Sequence, residues 1–504
     1  MTAQSVIVTM SSETPLPLAA TLASLPPPPP STLRAQTQSA LSSSSSASQI
    51  PILVALDDDP TGTQTCNSIN VLTVWDVETL TEEFRATKPG SGFFVLTNSR
   101  ALHPEPAFAL ICEICSNLQS ASKATGVPFE IVLRGDSTLR GHFPLEADAA
   151  TSVLGPATAW LLCPFFLQGG RYTIGDVHYV AEGDTLIPAA QTPFAKDATF
   201  GYKNSDLKAY AVEKGKGAIA AEDVTSITLD TIRNGGVEAV LAQLNALEPK
   251  NGKAPVVVVN AAAEEDVDIV VLALLRATSS TAPGSTPKRF LYRTGAAFVS
   301  ARLGIDPIPP ITAEQLRLSA SKNGGLIIAG SYVPKTTAQL HALTTKTPEA
   351  DLKTIILDVK RLLSSPETLA AEVASAREQA ATEIASGRDV LVMTSRELIV
   401  GADETSSLDI GSTIAKALVD FLRDFEEKTR PRYVIAKGGI TSSDMATKGL
   451  RFKRALIFGQ AAPGVPLWRC DEPTSKWSGV PYVVFPGNVG GEDALYEVAK
   501  GWRV

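Results

Sequence analysis

The chain has 504 residues, of which 44% are hydrophobic and 19% are charged. This length exceeds that of one ordinary domain and predicts two or three. The net charge of -8 argues against nucleic acid as a partner, and the five cysteines are too few and too scattered for a disulfide framework. No uninterrupted apolar run is long enough to span a bilayer, so we expect a soluble protein with no membrane partner.

The first 49 residues differ in composition from the rest of the chain. They contain five consecutive prolines and five consecutive serines, and their only charged side chains are Glu13 and Arg34. Such a composition buries little apolar surface, so we predict that residues 1–49 are a disordered tail. The tail is rich in serine and poor in acids, as transit peptides are, but it has a single arginine. We therefore expect a cytoplasmic protein, with organelle import left open.

Short apolar runs that end in polar residues begin just after residue 50, with helical patterns between them. Near-continuous apolar strands are typical of parallel sheets that are covered on both faces, and their alternation with helices indicates βαβ units. Ligands of such sheets bind beyond the carboxyl ends of the strands. The runs occupy residues 52–56, 92–96, 130–133, 160–162 and 255–259, and two clear helical patterns cover residues 106–122 and 237–247.

A second series of apolar runs follows a proline-bearing segment near residue 310. We predict two α/β domains, residues 50–310 and 325–504, with largely parallel sheets that face each other across a cleft. Five further strands are more than the first sheet comfortably accommodates, so we expect a separate second sheet. The runs of this series occupy residues 325–329, 389–393, 433–436, 454–458 and 482–485.

Three adjacent carboxylates, Asp57, Asp58 and Asp59, follow the first apolar run. Their mutual repulsion disfavours folding unless a cation, a hydroxyl-rich ligand or hydrogen-bond donors compensate. A carboxylate here suits a base toward a substrate hydroxyl, or a ligand that helps to hold Mg²⁺. The structural alternative is a solvated turn with an Asx-type cap.

A second polar cluster follows the run at residues 130–133. Its guanidinium groups suit the carboxylate of a small polyhydroxy acid, and its carboxylate and hydroxyls suit the alcohols. The alternative is a helix cap with a surface ion pair. The candidate substrate-binding residues of this cluster are Arg134, Asp136, Ser137, Thr138 and Arg140.

Three glycine-bearing loops follow apolar runs in the second half of the chain. Backbone N–H groups in such loops and at helix N-termini can hold phosphates, although a single loop of this kind usually makes only a turn. Neither a P-loop nor a dinucleotide-binding fingerprint is present, so the common ATPase and dehydrogenase motifs are missing. The candidate nucleotide-binding residues are Ser331, Gly438, Gly439, Thr441, Ser442, Gly487, Asn488 and Gly490.

Taken in chain order, these motifs and two further segments resemble the four-carbon acid sugar kinase family. The resemblance implies ATP-dependent phosphorylation of the terminal hydroxyl of threonate, erythronate or 3-oxo-tetronate, with Mg²⁺. It also implies that the first domain holds the acid and the second holds ATP. Asp58 or Asp59 would then be the catalytic base, with Asp57 among the substrate-binding residues. The further segments are residues 170–173 and 193–197.

The chain departs from the family pattern at two positions. Asp57 stands where the family commonly has alanine, and Ile440 stands where many relatives have an acidic residue. If that acid helps to place Mg²⁺, another group must do so here, and Asp444 is one candidate.

Two rival interpretations stay open at this point. One is a haloacid-dehalogenase-type phosphatase, because Asp57, Asp59 and Thr61 match the spacing of its nucleophile motif. The other is a metabolite-binding homologue without turnover. Under every interpretation the ligands are small molecules, and a homodimer is possible.

Overall fold

The computed structural model describes residues 14–42, 50–250, 252–279, 288–330, 334–396 and 404–503. Within these residues the strands are β1 Leu16–Pro17, β2 Ile52–Asp57, β3 Ile69–Leu72, β4 Gly92–Leu96, β5 Phe129–Arg134, β6 Ala159–Cys163, β7 Arg171–Ile174, β8 Val177–Glu182, β9 Thr185–Pro188, β10 Val224–Ile227, β11 Val256–Val259, β12 Phe290–Thr294, β13 Leu326–Ala329, β14 Leu352–Leu357, β15 Asp389–Thr394, β16 Val434–Lys437, β17 Arg454–Ala462, β18 Val465–Arg469 and β19 Pro481–Phe485.

Helices alternate with most of these strands, as the sequence predicts. The predicted helix at 106–122 is α4, and the one at 237–247 is α8. No helix in the described part of the chain is both long and apolar enough to cross a bilayer. The α-helices are α1 Leu18–Ser24, α2 Leu33–Ser42, α3 Val77–Ala86, α4 Pro104–Thr125, α5 Leu145–Leu154, α6 Leu207–Gly215, α7 Leu229–Arg233, α8 Gly236–Asn245, α9 Glu264–Thr278, α10 Ala296–Arg302, α11 Pro334–Lys346, α12 Val359–Leu362, α13 Pro366–Ala385, α14 Glu404–Arg423, α15 Gly439–Asp444 and α16 Ala494–Trp502.

A single sheet of fifteen strands runs through both halves of the molecule, in the order β10-β11-β6-β12-β5-β2-β4-β3-β17-β18-β19-β16-β13-β15-β14. The eight strands from β10 to β3 are mutually parallel, as are the five from β19 to β14. Every residue of β2, β4 and β11 is buried, which is the signature of strands covered on both faces. The α/β class with two largely parallel halves is confirmed.

The expectation of a separate second sheet is wrong. Strand β17 pairs antiparallel with β3 of the first half, with Arg454 opposite Leu72, and also antiparallel with β18 of the second half. Burial alternates along β17, as expected for a strand with one face toward the core. The β17–β18 hairpin thus joins the two parallel halves edge to edge.

A smaller antiparallel sheet, β1-β9-β8-β7, lies at the carboxyl edge of the first half. Its strand β7 is tied to that edge by two backbone contacts. The Arg171 N–H donates to the Phe166 carbonyl, just beyond β6, and the Thr173 N–H donates to the Ala261 carbonyl, just beyond β11, each at 2.9 Å. Residues of β7 therefore lie where ligands of the large sheet are expected.

The prediction of a disordered tail is wrong for residues 14–42. Strand β1 pairs with β9, and helix α2 packs on α9 with Leu33 and Leu41 buried. The Arg34 side chain donates to Asp268 at 2.7 Å and to the Ile305 carbonyl at 2.6 Å. The segment is poor in charge because it packs against the apolar helix α9, a partner that composition alone does not reveal. Residues 1–13 and 43–49 lie outside the described residues.

Candidate active site

Four adjacent parallel strands bring the polar motifs of the first half to one edge. The order β12-β5-β2-β4 places the carboxyl ends of these strands side by side, and Asp57 is the register partner of both Arg134 and Leu96. The two clusters found in the sequence, at 57–59 and 134–140, therefore meet at this edge. Arg100, which follows β4, and Arg293, at the end of β12, lie at the same edge.

Asp57 and Arg134 form an ion pair beneath the edge. Their closest side-chain atoms, Oδ1 and Nη1, are 3.3 Å apart, and both side chains are buried. Burial outweighs the opposing charge of Arg134 and raises the pKa of Asp57 to about 8. A Cβ added to Gly62 would lie 1.9 Å from the Asp57 carboxylate, so the turn closes directly over this group. The pair supports the site from below, and the geometry does not favour the substrate contacts expected of Asp57 and Arg134.

Asp58 is buried between two arginines. Its Oδ1 lies 3.7 Å from Arg100 Nη2, and its Oδ2 lies 3.7 Å from Arg293 Nη2. Neither oxygen has a hydrogen-bond partner in the described part of the chain. Burying a carboxylate whose two oxygens accept no hydrogen bond costs free energy of folding. Such oxygens indicate that a ligand donates hydrogen bonds to them.

Asp59 is held firmly at the mouth of the site. It accepts hydrogen bonds from the Thr61 backbone N–H at 3.0 Å and from the Thr61 hydroxyl at 2.6 Å, and its Oδ2 lies 2.7 Å from Arg100 Nη2. Burial alone would raise the pKa of Asp59, but the charge of Arg100 and these hydrogen bonds outweigh burial and lower it. Asp59 is therefore a weak base.

Arg100 is a residue that the sequence reasoning missed. It follows β4 in a short turn that begins at Asn98, whose φ of 51° is left-handed. Its guanidinium lies within ion-pair distance of Asp58, Asp59 and Asp136. Arg100 thus supplies much of the positive charge that compensates the adjacent carboxylates. The only local signal for it was its position just after a buried strand.

Asp136 organises the second polar cluster. It accepts from Arg140 Nε at 2.7 Å and from the Thr138 hydroxyl. Burial opposes ionisation of Asp136, but the charges of Arg140 and Arg100 outweigh burial and hold its pKa well below the usual range. Ser137 and Thr138 are buried, and the Ser137 carbonyl lies 2.8 Å from a ring nitrogen of His178.

Arg293, at the end of β12, is a second residue that the sequence reasoning missed. Its guanidinium passes between two glycines: a Cβ at Gly135 would lie 1.5 Å from Nη1, and a Cβ at Gly141 would lie 2.5 Å from Nη2. It reaches Asp58 and Glu146, each at 3.7 Å. Glycine at these two positions therefore leaves the space that the buried Arg293 side chain occupies.

The glycine-bearing loops of the second half lie at the carboxyl ends of β16 and β19. Gly438 has a φ of 110°, and the backbone then enters the short helix α15. Thr441 is half-buried, and its hydroxyl lies 3.3 Å from a Cβ placed on Gly330. Ser442 is buried and donates to the Ala436 carbonyl at 2.7 Å, so it supports the loop from below. The candidate Ser331 lies outside the described residues.

The loop at 486–491 is fixed by side chains of α11. Gln339 Nε2 donates to the Val489 carbonyl at 3.0 Å and to the Gly491 carbonyl at 2.8 Å, and Thr336 donates to the Gly487 carbonyl at 3.2 Å. Gly490 has a φ of 82°, a conformation that favours glycine. Gly487 and Asn488 are half-buried at the surface of this loop.

A buried lysine lies beneath both loops. Lys437 donates to the Pro486 carbonyl, and its ammonium lies 4.6 Å from the centre of the Phe485 ring. Burial, and to a smaller extent the charge of Lys335, lower the pKa of Lys437 to about 7.

The two halves of the site touch each other. A Cβ on Gly439 would lie 2.5 Å from Asp59 Oδ2, and the Asn98 side chain donates to the Ser443 hydroxyl. The loop that begins at Gly438 therefore lies against Asp59 of the first half. Asp444 does not face them as a free group, because it pairs with Lys448 at 2.7 Å. Among the described residues, no group of three or more His, Cys, Asp or Glu side chains has the arrangement of a metal site.

Two domain models match the chain, one in each half. A sugar-binding N-terminal domain model matches residues 53–302, and a nucleotide-binding C-terminal domain model matches residues 326–495. The two models together describe a class of two-domain proteins with a sugar-binding N-terminal domain and a nucleotide-binding C-terminal domain. The chain belongs to the four-carbon acid sugar kinase family, as its motifs predict.

One curated relative and two solved structures are informative. A stretch of 176 residues is 31% identical to D-erythronate kinase from Heliobacterium modesticaldum, and it covers 35% of this chain and 36% of that kinase. The chain thus matches about a third of the length of that relative.

The solved structures support the fold. A Salmonella typhimurium LT2 protein, provisionally described as a tRNA synthase, is 18% identical with a TM-score of 0.63, over 89% of this chain and 98% of that one. A Haemophilus influenzae protein of the DUF1537 family is 16% identical with a TM-score of 0.56, over 90% of this chain and 100% of that one. At these identities, both comparisons bear on the fold alone.

Proposed function

We propose that the protein is an ATP-dependent kinase that phosphorylates the terminal hydroxyl of a four-carbon sugar acid of the erythronate, threonate or 3-oxo-tetronate class. The observation that carries the proposal is Asp58, a buried carboxylate with two unused acceptor oxygens that is adjacent in sequence to Asp59, the residue against which Gly439 of the second domain lies. The relationship to a D-erythronate kinase supports the substrate class.

Asp58 is the better of the two candidate bases. A substrate hydroxyl would satisfy one of its oxygens, and the flanking Arg100 and Arg293 would stabilise the negative charge that develops on the attacking oxygen. Asp59 has a lowered pKa and already accepts two hydrogen bonds, so it is less suited to take a proton. Because Asp59 lies against Gly439, it suits a residue that orients the phosphates of the nucleotide.

The nucleotide would lie on the loops of the second domain. Backbone N–H groups after Gly438 and around Gly490 can bind phosphates without a P-loop. Half-buried Thr441 and Asn488 offer hydrogen bonds to the nucleotide, whereas Ser442 acts by holding the loop in place. In-line transfer depends mainly on positioning and charge neutralisation, which the contact between the domains would provide.

The donor set fits one Mg²⁺ brought with the nucleotide. Mg²⁺ in kinases needs only one or two protein carboxylates in addition to phosphate oxygens. One Asp58 oxygen is left for the ion when the other accepts the substrate hydroxyl, and Asp59 lies beside the nucleotide loop. These two residues would hold the ion, which neutralises charge on the phosphates when it is bound.

The geometry does not favour the phosphatase interpretation. Its nucleophile would be Asp57, which is fully buried under Gly62 and paired with Arg134. Burial also makes a negative charge on this group costly, as its raised pKa indicates. A nucleophilic carboxylate needs access to phosphorus and a negative charge.

A screen for ADP release tests the proposal. The purified protein is incubated with ATP, Mg²⁺ and each of threonate, erythronate and 3-oxo-tetronate, with erythritol as the neutral four-carbon control. We expect ADP formation that depends on at least one acid. ADP no higher than the acid-free background with all three acids would overturn the proposal. Phosphate release from a sugar phosphate without ATP would support the phosphatase instead, and calorimetric binding of an acid without turnover would support a binding protein.

A further inference from the structure

Most arginines at the carboxyl edge already have carboxylate partners. Arg100 pairs with Asp59, Arg134 with Asp57, Arg140 with Asp136, and Arg293 lies between Asp58 and Glu146. Arg134 and Arg140 are the arginines that the sequence motif suggests for the carboxylate of the acid, but Asp57 and Asp136 already neutralise their charges. The distances are 2.7 Å for Arg100–Asp59, 3.3 Å for Arg134–Asp57, 2.7 Å for Arg140–Asp136 and 3.7 Å for both contacts of Arg293.

Arg171 is the exception at this edge. No carboxylate within the described residues pairs with it, and its Nε is buried without a hydrogen-bond partner. Burial lowers the pKa of Arg171, although the charge of Asp136 partly opposes this effect. A half-buried guanidinium with a buried Nε and no anion beside it is costly unless a ligand supplies one.

The position of Arg171 suits a ligand contact. It opens strand β7, and its backbone pairs with Phe166, just beyond the carboxyl end of β6. Its guanidinium carbon lies 5.6 Å from the centre of the Phe194 ring, and that of Arg140 lies 5.3 Å from the same centre. Phe194 therefore places the unpaired arginine next to the paired one at the edge of the polar cluster.

The aromatic contact also fixes the orientation of the arginine. A guanidinium that packs on a ring loses little of its hydrogen-bonding capacity, because its N–H groups lie in its own plane. Such a group can bind a carboxylate through two parallel hydrogen bonds. A lysine cannot reproduce this planar pair.

We propose that Arg171, positioned by Phe194, binds the carboxylate of the substrate acid and so selects acids over neutral four-carbon polyols. This assignment rests on the proposed kinase function and deepens it. Arg140 lies at the border of the subsite, where its charge is shared between Asp136 and, at 4.0 Å, Asp197. The hydroxyl end of the substrate would then extend toward Asp58.

The test compares Arg171→Gln and Arg171→Lys with the wild type in the ADP-release assay. For Arg171→Gln, we expect kcat/KM for the preferred acid to fall about 10- to 100-fold, mostly through KM, because a charge-assisted pair is lost. For erythritol, kcat/KM should change less than about threefold, since erythritol has no carboxylate. Arg171→Lys should fall between the wild type and Arg171→Gln. Arg85→Gln, an exposed arginine on α3, is the matched control and should match the wild type.

Calorimetric titration of the acid without ATP gives a second readout that is independent of turnover. Arg171→Gln should weaken binding by a similar factor, and Phe194→Leu should weaken it about 3- to 10-fold with the arginine still present. If the melting temperature of Arg171→Gln is well below that of the wild type, acid binding by Arg171→Lys and Phe194→Leu is used to test the proposal instead.

The outcomes separate this assignment from the proposed function. If the wild type forms no ADP with any acid, the kinase function fails and the subsite fails with it. If the wild type is active and Arg171→Gln keeps its KM for the acid, the assignment of Arg171 alone is wrong. An equal loss toward the acid and erythritol would also contradict it, because that pattern indicates a structural role.

Discussion

The two domains build their halves of the site from different parts of the chain. The first domain uses charged side chains from four strand ends, which neutralise one another in a buried network. The second uses the main chain of glycine-bearing loops, held from below by Gln339 and Ser442. A side-chain network of this kind is sensitive to the loss of one charge, whereas a main-chain loop is sensitive to the addition of one carbon atom.

The largest expected effect comes from the first domain. Asp58→Asn keeps the shape of the side chain but removes the proposed base, so kcat should fall about 10²- to 10⁴-fold. Acid binding by calorimetry should change far less. Steady-state kinetics measures the loss, with the exposed Asp184→Asn as the control. Near-normal turnover of Asp58→Asn would remove Asp58 from the mechanism.

A smaller effect is expected in the second domain. The new Cβ in Gly439→Ala would lie 2.5 Å from Asp59 Oδ2, and Arg100 and Thr61 restrain that carboxylate. We expect kcat/KM for ATP to fall about 10- to 100-fold, because the domains can no longer approach as closely. Gly491→Ala is the matched control, since a Cβ there meets no atom within 4 Å. Equal activity of the two variants would show that the contact between Asp59 and the loop is unimportant.

The smallest effect concerns the lysine beneath the loops. The pKa of Lys437 is about 7 in the folded protein, below the usual value of 10.5. Between these values the unfolded chain binds a proton that the folded chain does not, so the contribution of Lys437 to the free energy of unfolding rises with pH across that window. Below pH 7 both states are protonated, so the slope disappears and the folded chain bears the full cost of burying the charged ammonium.

Lys437→Met should remove that slope. We expect the wild type to gain about 1 kcal/mol relative to the variant for each pH unit between pH 7 and 9, measured by urea unfolding at fixed ionic strength. The slope is the readout, because the variant also leaves the Pro486 carbonyl without its donor and so shifts the baseline. Parallel stability curves for the two proteins would contradict the lowered pKa.

Much of the architecture could be predicted from local sequence. Each buried parallel strand is a short apolar run that ends at polar residues, so strands such as Val256–Val259 could be predicted from the sequence. The carboxylates at the end of Ile52–Asp57 could be identified as candidate site residues for the same reason. The glycine loops were visible for the same reason, since their position after a strand is a local property. The family resemblance rested on these local motifs and is confirmed.

The remaining features depend on long-range pairing. Arg100, Arg171 and Arg293 are single arginines, and nothing near them in sequence shows which carboxylates they meet. Residues 14–42 appeared disordered because their partner, helix α9, lies more than two hundred positions away. The join between β3 and β17 likewise pairs strands from the two ends of the chain.

The central claim is that one site, shared by the two domains, brings the hydroxyl of a four-carbon acid to the terminal phosphate of ATP. A crystal structure with a non-hydrolysable ATP analogue, Mg²⁺ and the preferred acid tests it most directly. We expect the terminal hydroxyl within hydrogen-bonding distance of Asp58 and in line with the γ-phosphate, with the carboxylate of the acid on Arg171. Acid and nucleotide bound at separate places, with neither near Asp58, would contradict the claim.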